Sequence, residues 1–216
     1  MFRGARTFCV VVGACAAALC APSTRAVGVD FGGEQVSQEA RRVAQWIVAS
    51  GDNHGLTFAI VDKKDARLFV FEPGGRVIGA TPALLGLAPG DHSLPGVGEK
   101  DPDLLKPFER TTPAGRFESE PGRNHTGEAI VWFDYDAALA IHRLRPGRTH
   151  AARTKRLASP TAAERRASLG CVVVPAPFYD SVVRPTLGRG RGVVYVLPET
   201  RPVHEVFGNE RVARQL

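Results

Sequence analysis

Apolar residues follow a helical spacing in one early segment of the chain. Between residues 35 and 50 they recur three and four positions apart, which predicts one amphipathic helix with its apolar stripe packed on the rest of the fold. Gly51, directly after Ser50, is typical of a helix end. The stripe consists of Val36, Ala40, Val43, Ala44, Ile47 and Val48.

From residue 56 onward the apolar residues form short runs that are rich in β-branched and aromatic side chains. LTFAIVD and ARLFVFE, separated by the polar Lys63, Lys64 and Asp65, predict a β-hairpin, and RVIGATP predicts a third strand. EAIVWFDYD, ALAIHRL, GCVVVP and RGVVYVLP predict four further strands, and APFYDSVVRP predicts a short helix.

The segment 86–127 is rich in Gly and Pro and predicts a long excursion over the surface, with a short strand near TTPAGRFES. Together the elements predict a mainly β, α+β fold, in which a mixed sheet is flanked by an N-terminal helix and a short helix after GCVVVP. The predicted parts are a leader at 1–26, a helical segment at 27–55, a main domain at 56–200 and a tail at 201–216.

The first 26 residues have the composition of an export signal. Arg3 and Arg6 precede an apolar run that ends at Ala21, and Thr24 and Ala26 supply small residues for a cleavage site. The run is short for a membrane span. An uncleaved anchor and a lipoprotein signal around Cys15 are the alternatives. We therefore expect an exported protein of the periplasm or cell envelope.

Removal of the leader leaves Cys171 as the single thiol, with no internal disulfide. In an oxidising compartment such a thiol is either buried and inert or a working nucleophile. Gly170, directly before it, leaves room for a substrate carbonyl to approach the sulfur and nearby backbone N–H groups. A thiol needs a base or a positive field at neutral pH, and His142, at the end of a predicted strand, is the best candidate.

The five other histidines are predicted to be solvated, because they lie in polar turns, in Gly- or Arg-rich loops or in the tail. With one cysteine and scattered histidines there is no metal-ligand spacing, so neither a metal nor another cofactor is predicted. The sequence contains no GxSxG, Walker A or GxGxxG motif. The five histidines are His54, His92, His125, His150 and His204.

Positive charge is concentrated in one segment of the chain. The formal net charge is +6, and three arginines of the leader contribute to it. Between His142 and Cys171 lie eight basic residues and one acid, Glu164. This localisation argues against general nucleic-acid binding and favours a basic loop that meets an anionic partner. A solvated loop without a partner is the alternative.

Several segments resemble, in the same order, the L,D-transpeptidases with a YkuD-type catalytic domain, over roughly residues 56–198. They are TFAIVDKKDARLFVFEPGGRVIGATP, TTPAGRF, YDAALAIHRL and SLGCVVV. The family has a Thr-Pro-x-Gly-x-Phe segment, then Ile-His, then Ser-His-Gly-Cys. Here Thr112 to Phe117, Ile141-His142 and Ser168 to Cys171 match these motifs in turn.

The resemblance implies an exported cell-wall enzyme with a mixed β-sheet sandwich. Its thiolate would attack the carbonyl between the third residue of a peptidoglycan stem tetrapeptide and the terminal D-Ala. D-Ala would leave, and the acyl group would pass to an amine of another stem or of a wall-anchored protein. The resemblance implies Cys171 as nucleophile, His142 as general base, Gly170 and the Cys171 amide beside the oxyanion, and Ser168 as the residue that orients the turn. The implied partner is the stem peptide, with no nucleic acid and no membrane contact beyond the export signal.

The sequence departs from the family pattern at two positions and in one spacing. Leu169 stands where the family commonly has His, and Val173 stands where Arg or Asn commonly follows the cysteine by two. An arginine-rich insert lengthens the span from His142 to Cys171. Because stem peptides carry carboxylates, which an arginine fork binds bidentately, we predict that arginines around the insert contact substrate: Arg143, Arg145, Arg153 and Arg166.

The sequence is also compatible with other functions. With water as the acceptor, the same acyl-enzyme would make the protein an L,D-carboxypeptidase. The two substitutions in the cysteine motif also allow a catalytically weak protein that binds peptidoglycan. A papain-like hydrolase is disfavoured, because papain-like chains place the cysteine before the histidine.

Overall fold

The helices and strands are those of a computed structural model, which describes Met1 and residues 28–207; the predicted leader and the end of the tail lie outside the described residues. In chain order the elements are α1 Gln38–Ser50, β1 Phe58–Asp62, β2 Arg67–Phe71, β3 Val77–Pro82, β4 Leu85–Gly86, β5 Gly115–Arg123, β6 Ala129–Asp134, β7 Leu139–Arg143, α2 His150–Leu157, β8 Arg166–Ser168, β9 Val172–Val174, α3 Ala176–Phe178, β10 Gly192–Val196 and α4 Val203–Val206.

Eight of these strands form one mixed sheet in the order β3-β2-β1-β10-β5-β6-β7-β9. β1 pairs with β10 and β7 pairs with β9 in parallel, while the other neighbours run antiparallel. The predicted α+β class with a mixed sheet is confirmed. β4 and β8 form a separate two-stranded ladder beside it.

The sheet folds over on itself at β5 and makes a sandwich. The first part of β5 pairs with β10 and the second part pairs with β6. Side chains from both halves then meet in one buried cluster, which includes Ala59 and Val194 from the first half and Ile141 and Val172 from the second. The outer face of each half is left to pack against helices.

α1 covers the outer face of the first half. Ser37 caps it by accepting a hydrogen bond from the Ala40 amide, and Gly51 ends it with a φ of 69°. Its stripe packs on aromatic residues of the sheet, Phe58 and Tyr195 among them. The predicted helix is confirmed, beginning at Gln38.

The predicted hairpin is also confirmed, but the polar residues between its strands are not all solvated. Lys63 is 1% exposed, whereas Lys64 beside it is exposed. The reason is that residues 90–112 pass over this turn and supply partners for the Lys63 ammonium.

The prediction of a surface excursion at 86–127 is only partly right. Val97 and Leu105 are buried in the central cluster, and β5 is nine residues long rather than a short strand. The length of β5 depends on partners far away in the chain, β10 and β6, which local composition does not reveal.

The structure contains helices in two segments for which the sequence predicts none, the basic insert and the tail. The basic insert contains α2, whose Leu157 is buried against the outer face of the second half. In the tail, Val203 and Phe207 pack into the cluster under α1. Within the described part of the chain, no helix is long and apolar enough to cross a bilayer.

Candidate active site

His142 lies on β7, and Cys171 lies directly before the neighbouring strand β9; the strand register places both on the same side of the sheet. β7 and β9 pair in parallel with His142 opposite Val173. Extending this register places Cys171 beside Ala140, two residues before His142 on the same outer face. Strand spacing and rise put the Cα atoms of Cys171 and His142 roughly 8 Å apart.

The imidazole of His142 is almost buried, with 9% of the residue exposed. Its Nδ1 lies 2.8 Å from the carbonyl oxygen of Arg143. Since a carbonyl only accepts, Nδ1 carries the proton and the free lone pair is on Nε2. Burial lowers the pKa of His142 to about 4; the hydrogen bond to Arg143 opposes this, and the charges of Arg145 and Arg153 reinforce it. The imidazole is therefore neutral near pH 7.

The thiol of Cys171 is half-buried at the start of β9, with Sγ 3.9 Å from the carbonyl oxygen of Ala138. Burial raises the pKa of this thiol, while the amide of Ala140 and the charges of Arg145 and Arg153 act in the opposite direction. Burial therefore favours the neutral thiol over the thiolate.

A tight turn held by hydrogen bonds presents Cys171. The hydroxyl of Ser168 donates to the carbonyl of Cys171 at 2.6 Å and accepts from the amide of Gly170 at 3.1 Å. Gly170 has a φ of +133°, and a Cβ there would lie 2.7 Å from the Leu139 side chain and 2.8 Å from the Thr111 carbonyl oxygen. Both backbone conformation and space therefore require glycine.

Thr112, which is fully buried, is hydrogen-bonded to the same turn. Its hydroxyl donates to the carbonyl of Gly170 at 2.7 Å and accepts from the amide of Gly86 at 2.9 Å. The Thr112 carbonyl accepts from the Lys63 ammonium at 3.0 Å, and Lys63 is ion-paired with Asp91 at 2.7 Å. A buried ion pair thus supports the segment that fixes the cysteine turn.

The two departures from the family pattern have different surroundings. Leu169 is 39% exposed at the tip of the turn. Val173 is fully buried in the outer cluster with Leu84, Leu144 and Leu157. Because α2 covers position 173 with an apolar side chain, an arginine there would be buried under the insert.

Arg143 and Arg145 share one carboxylate near the end of β7. The Nε atoms of Arg143 and Arg145 lie 2.6 Å and 2.5 Å from the two carboxylate oxygens of Glu128. Burial alone would raise the pKa of Glu128, but the hydrogen bond from Arg143 and the charge of Arg145 outweigh it and lower that pKa. Glu128 is therefore ionised and partly neutralises both arginines.

Arg153 and Arg166, the other two arginines predicted to bind substrate, are in different environments. Arg166 is ion-paired with Glu199 and donates to the Lys63 carbonyl at 3.1 Å, so its guanidinium is engaged in the charge cluster around Lys63. Arg153 lies on α2, and among the described residues it has no ion-pair partner. Its Nε is buried without a hydrogen bond.

The sequence did not single out three residues that shape the site: Thr112, Lys63 and Glu128. Thr112 lies in the TTPAGRF motif, which marked the segment but not the role of the side chain. No local signal separates Lys63 from its neighbour Lys64, because the burial of Lys63 follows from chain packing. In the described part of the chain, no three His, Cys, Asp or Glu side chains are grouped to hold a metal ion.

The fold and this site define an α+β protein with a candidate cysteine and histidine centre on the outer face of its sheet. No family model matches the sequence, and no curated protein matches it. Among solved structures, the chain is similar to an L,D-transpeptidase from Xylanimonas cellulosilytica, with 18% identity, a TM-score of 0.41 and coverage of 66% of this chain and 60% of the other.

Two further similar structures come from other bacteria. The helical cell shape determining protein from Campylobacter jejuni has 16% identity and a TM-score of 0.44, covering 68% of this chain and 49% of the other. The catalytic domain of the L,D-transpeptidase from Enterococcus faecium has 17% identity and a TM-score of 0.36, covering 66% of this chain and 98% of the other. The match thus spans 60% and 49% of the first two proteins.

Proposed function

We propose that this chain is an exported L,D-transpeptidase, a cysteine acyltransferase that acts on peptidoglycan stem peptides in the periplasm or cell envelope. The observation that carries the proposal is the shared outer face of β7 and β9, where a half-buried thiol and a neutral imidazole lie on adjacent strands. The ordered motifs at Thr112, His142 and Cys171 supply the substrate class, and the leader pattern supplies the location.

In the first half-reaction, Nε2 of His142 takes the thiol proton while Sγ of Cys171 attacks the carbonyl carbon of the third stem residue. A C–S bond forms and the carbonyl electron pair moves to oxygen. Collapse of this oxyanion breaks the C–N bond to D-Ala, and the proton on the imidazole passes to the leaving amine. The products are a thioester on Cys171 and free D-Ala.

In the second half-reaction, an amine of another stem or of a wall-anchored protein attacks the thioester carbonyl. The amine proton passes through His142 to the departing sulfur, so a new amide forms as the C–S bond breaks. The thiol and the neutral imidazole are restored. Water in place of the amine gives a free acid, which is the L,D-carboxypeptidase reaction.

The amide of Cys171 is the proposed donor to the oxyanion. It makes no hydrogen bond to another described residue, whereas the amide of Gly170 already donates to Ser168. We therefore assign Gly170 a conformational role and Ser168 a role in holding the turn. A preorganised amide that needs no rearrangement is an effective oxyanion donor.

The deciding experiment is mass spectrometry of muropeptides incubated with wild-type protein and with Cys171→Ala. We expect loss of D-Ala and new cross-links with the wild type alone, and a carbapenem adduct at Cys171. Release of D-Ala without cross-links would identify the L,D-carboxypeptidase. Identical products from both proteins, with no adduct on the folded wild type, would reject catalysis in favour of a binding protein.

A further inference from the structure

Helix α2 holds one charged side chain against the face that carries the thiol and the imidazole. Leu157, the buried residue of α2, packs with Leu144 and Val173 on this face, and Cys171 packs against the same cluster. Arg153 lies four residues before Leu157, on the same side of the helix, and is half-buried. The packing of Leu157 therefore holds Arg153 near the start of β9, where its charge acts on Cys171.

Arg153 differs from the other arginines near the site in its lack of a counter-ion. Arg143 and Arg145 share Glu128, and Arg166 is paired with Glu199. In the described part of the chain no carboxylate pairs with Arg153, and its Nε is buried without a hydrogen-bond partner. A partly buried guanidinium without an anion is unfavourable by itself, so its position favours a ligand that supplies the missing negative charge.

The charge of Arg153 also acts on both reacting groups. Burial is the main influence on both pKa values, lowering that of His142 and raising that of Cys171. The charges of Arg145 and Arg153 lower both pKa values. Arg145 is already paired with Glu128 at 2.5 Å, a carboxylate that it shares with Arg143. Arg153 is thus the cation free to contact a substrate group next to the bond that breaks.

We propose that Arg153 binds the C-terminal carboxylate of the residue that the enzyme releases from its substrate, through a bidentate ion pair. This assignment rests on the proposed acyl transfer at Cys171. The terminal carboxylate lies one residue beyond the scissile carbonyl, roughly 4 Å in Cα spacing, so a cation close to the sulfur can reach it. A guanidinium fork matches a carboxylate in shape and charge.

The test compares two substrates and two proteins. A stem tetrapeptide with a free C-terminal carboxylate and the same peptide with a C-terminal amide are each given to wild type and to Arg153→Gln, and kcat/KM for release of the last residue is measured. We expect amidation to lower the wild-type value by about 10- to 100-fold, and Arg153→Gln to lower the value for the acid by a similar factor. Combining both changes should add little, because both remove the same ion pair.

Lys155→Gln is the matched control, since it removes one positive charge from an exposed position of α2. Lys155→Gln should leave the preference for the acid over the amide unchanged. Arg153→Lys keeps the charge but loses the guanidinium fork, so it should retain part of that preference. The assignment would be overturned if wild type had the same kcat/KM for the acid and the amide, or if Arg153→Gln lowered kcat/KM equally for both. Neither result would contradict acyl transfer at Cys171. A wild type that releases a residue from neither peptide would instead remove the proposed function, and this inference with it.

Discussion

Thr112 donates a hydrogen bond to the carbonyl oxygen of Gly170, with 2.7 Å between the two oxygens. The C=O and N–H of a trans peptide point in opposite directions, so this bond turns the amide of Cys171 away from Thr112. That amide makes no backbone hydrogen bond to another described residue. A buried hydroxyl thus fixes the direction of the proposed oxyanion donor without touching the substrate.

Thr112→Val should slow acylation of the Cys171 thiol much more than its alkylation. The change keeps the shape and removes the hydroxyl, which frees the Gly170–Cys171 peptide to reorient. We expect acylation of Cys171 by a carbapenem to slow by about 10- to 100-fold. Alkylation by iodoacetamide, which forms no oxyanion, should change by less than about threefold.

Both rates are measured by intact-protein mass spectrometry, and Thr112→Ser, which restores the hydroxyl, is the control. The serine variant should regain most of the acylation rate. If valine slows both reactions to the same extent, Thr112 acts on the thiol in general rather than on the oxyanion donor.

The pH dependence of acylation should report the unusual environment of His142. Its pKa is about 4, because of burial and of the nearby charges of Arg145 and Arg153. The neutral base is therefore present down to mildly acidic pH, and the carbapenem acylation rate should change by less than about twofold between pH 7.5 and pH 5. If the imidazole had an ordinary pKa, the acylation rate would fall by about 30-fold over this range. Such a fall would contradict the burial of His142.

The same pKa predicts a pH-dependent stability. The folded pKa of His142 lies below its unfolded value, so the unfolded chain binds the extra proton first as pH falls below about 6.5. This contribution to stability is fully present above that pH and is lost as pH falls toward 4. Between pH 7.5 and pH 5 the wild type should lose about 2 kcal/mol more unfolding free energy than His142→Gln. Urea unfolding of both proteins measures this, and equal losses would contradict it.

Lys63→Met should destabilise the fold far more than Lys64→Met. Lys63 and Asp91 are ion-paired at 2.7 Å with side chains 0% and 1% exposed, so removing the lysine leaves a buried carboxylate without its cation. We expect a loss of about 3 to 5 kcal/mol. Lys64 pairs with Glu39 on the surface, with 45% and 37% exposure, and its loss should cost less than about 1 kcal/mol. Chemical denaturation compares the two, and similar losses would contradict the special role of Lys63.

Local patterns predict the elements that bury a single apolar face. The stripe of α1 and the alternating runs of β1 and β2 have one apolar face each, and their periods appear directly in the sequence. The nine-residue β5 was predicted only as a short strand, because its segment includes Pro121 and Gly122 and its pairing depends on two distant strands. No local pattern predicts α2, because its apolar anchor is a single residue, Leu157.

For the candidate site, the sequence by itself determined the chemical groups: a lone thiol after a glycine, a histidine at the end of a strand and an arginine-rich insert between them. Only the tertiary structure decided that β7 and β9 are parallel neighbours, which puts Cys171 and His142 on one face. It also decided which charges are neutralised, leaving Arg153 without the counter-ion that Arg143, Arg145 and Arg166 have. The physical reason is that strand register and burial arise from contacts between segments far apart in the chain, whereas periodicity and motifs record only neighbours along it.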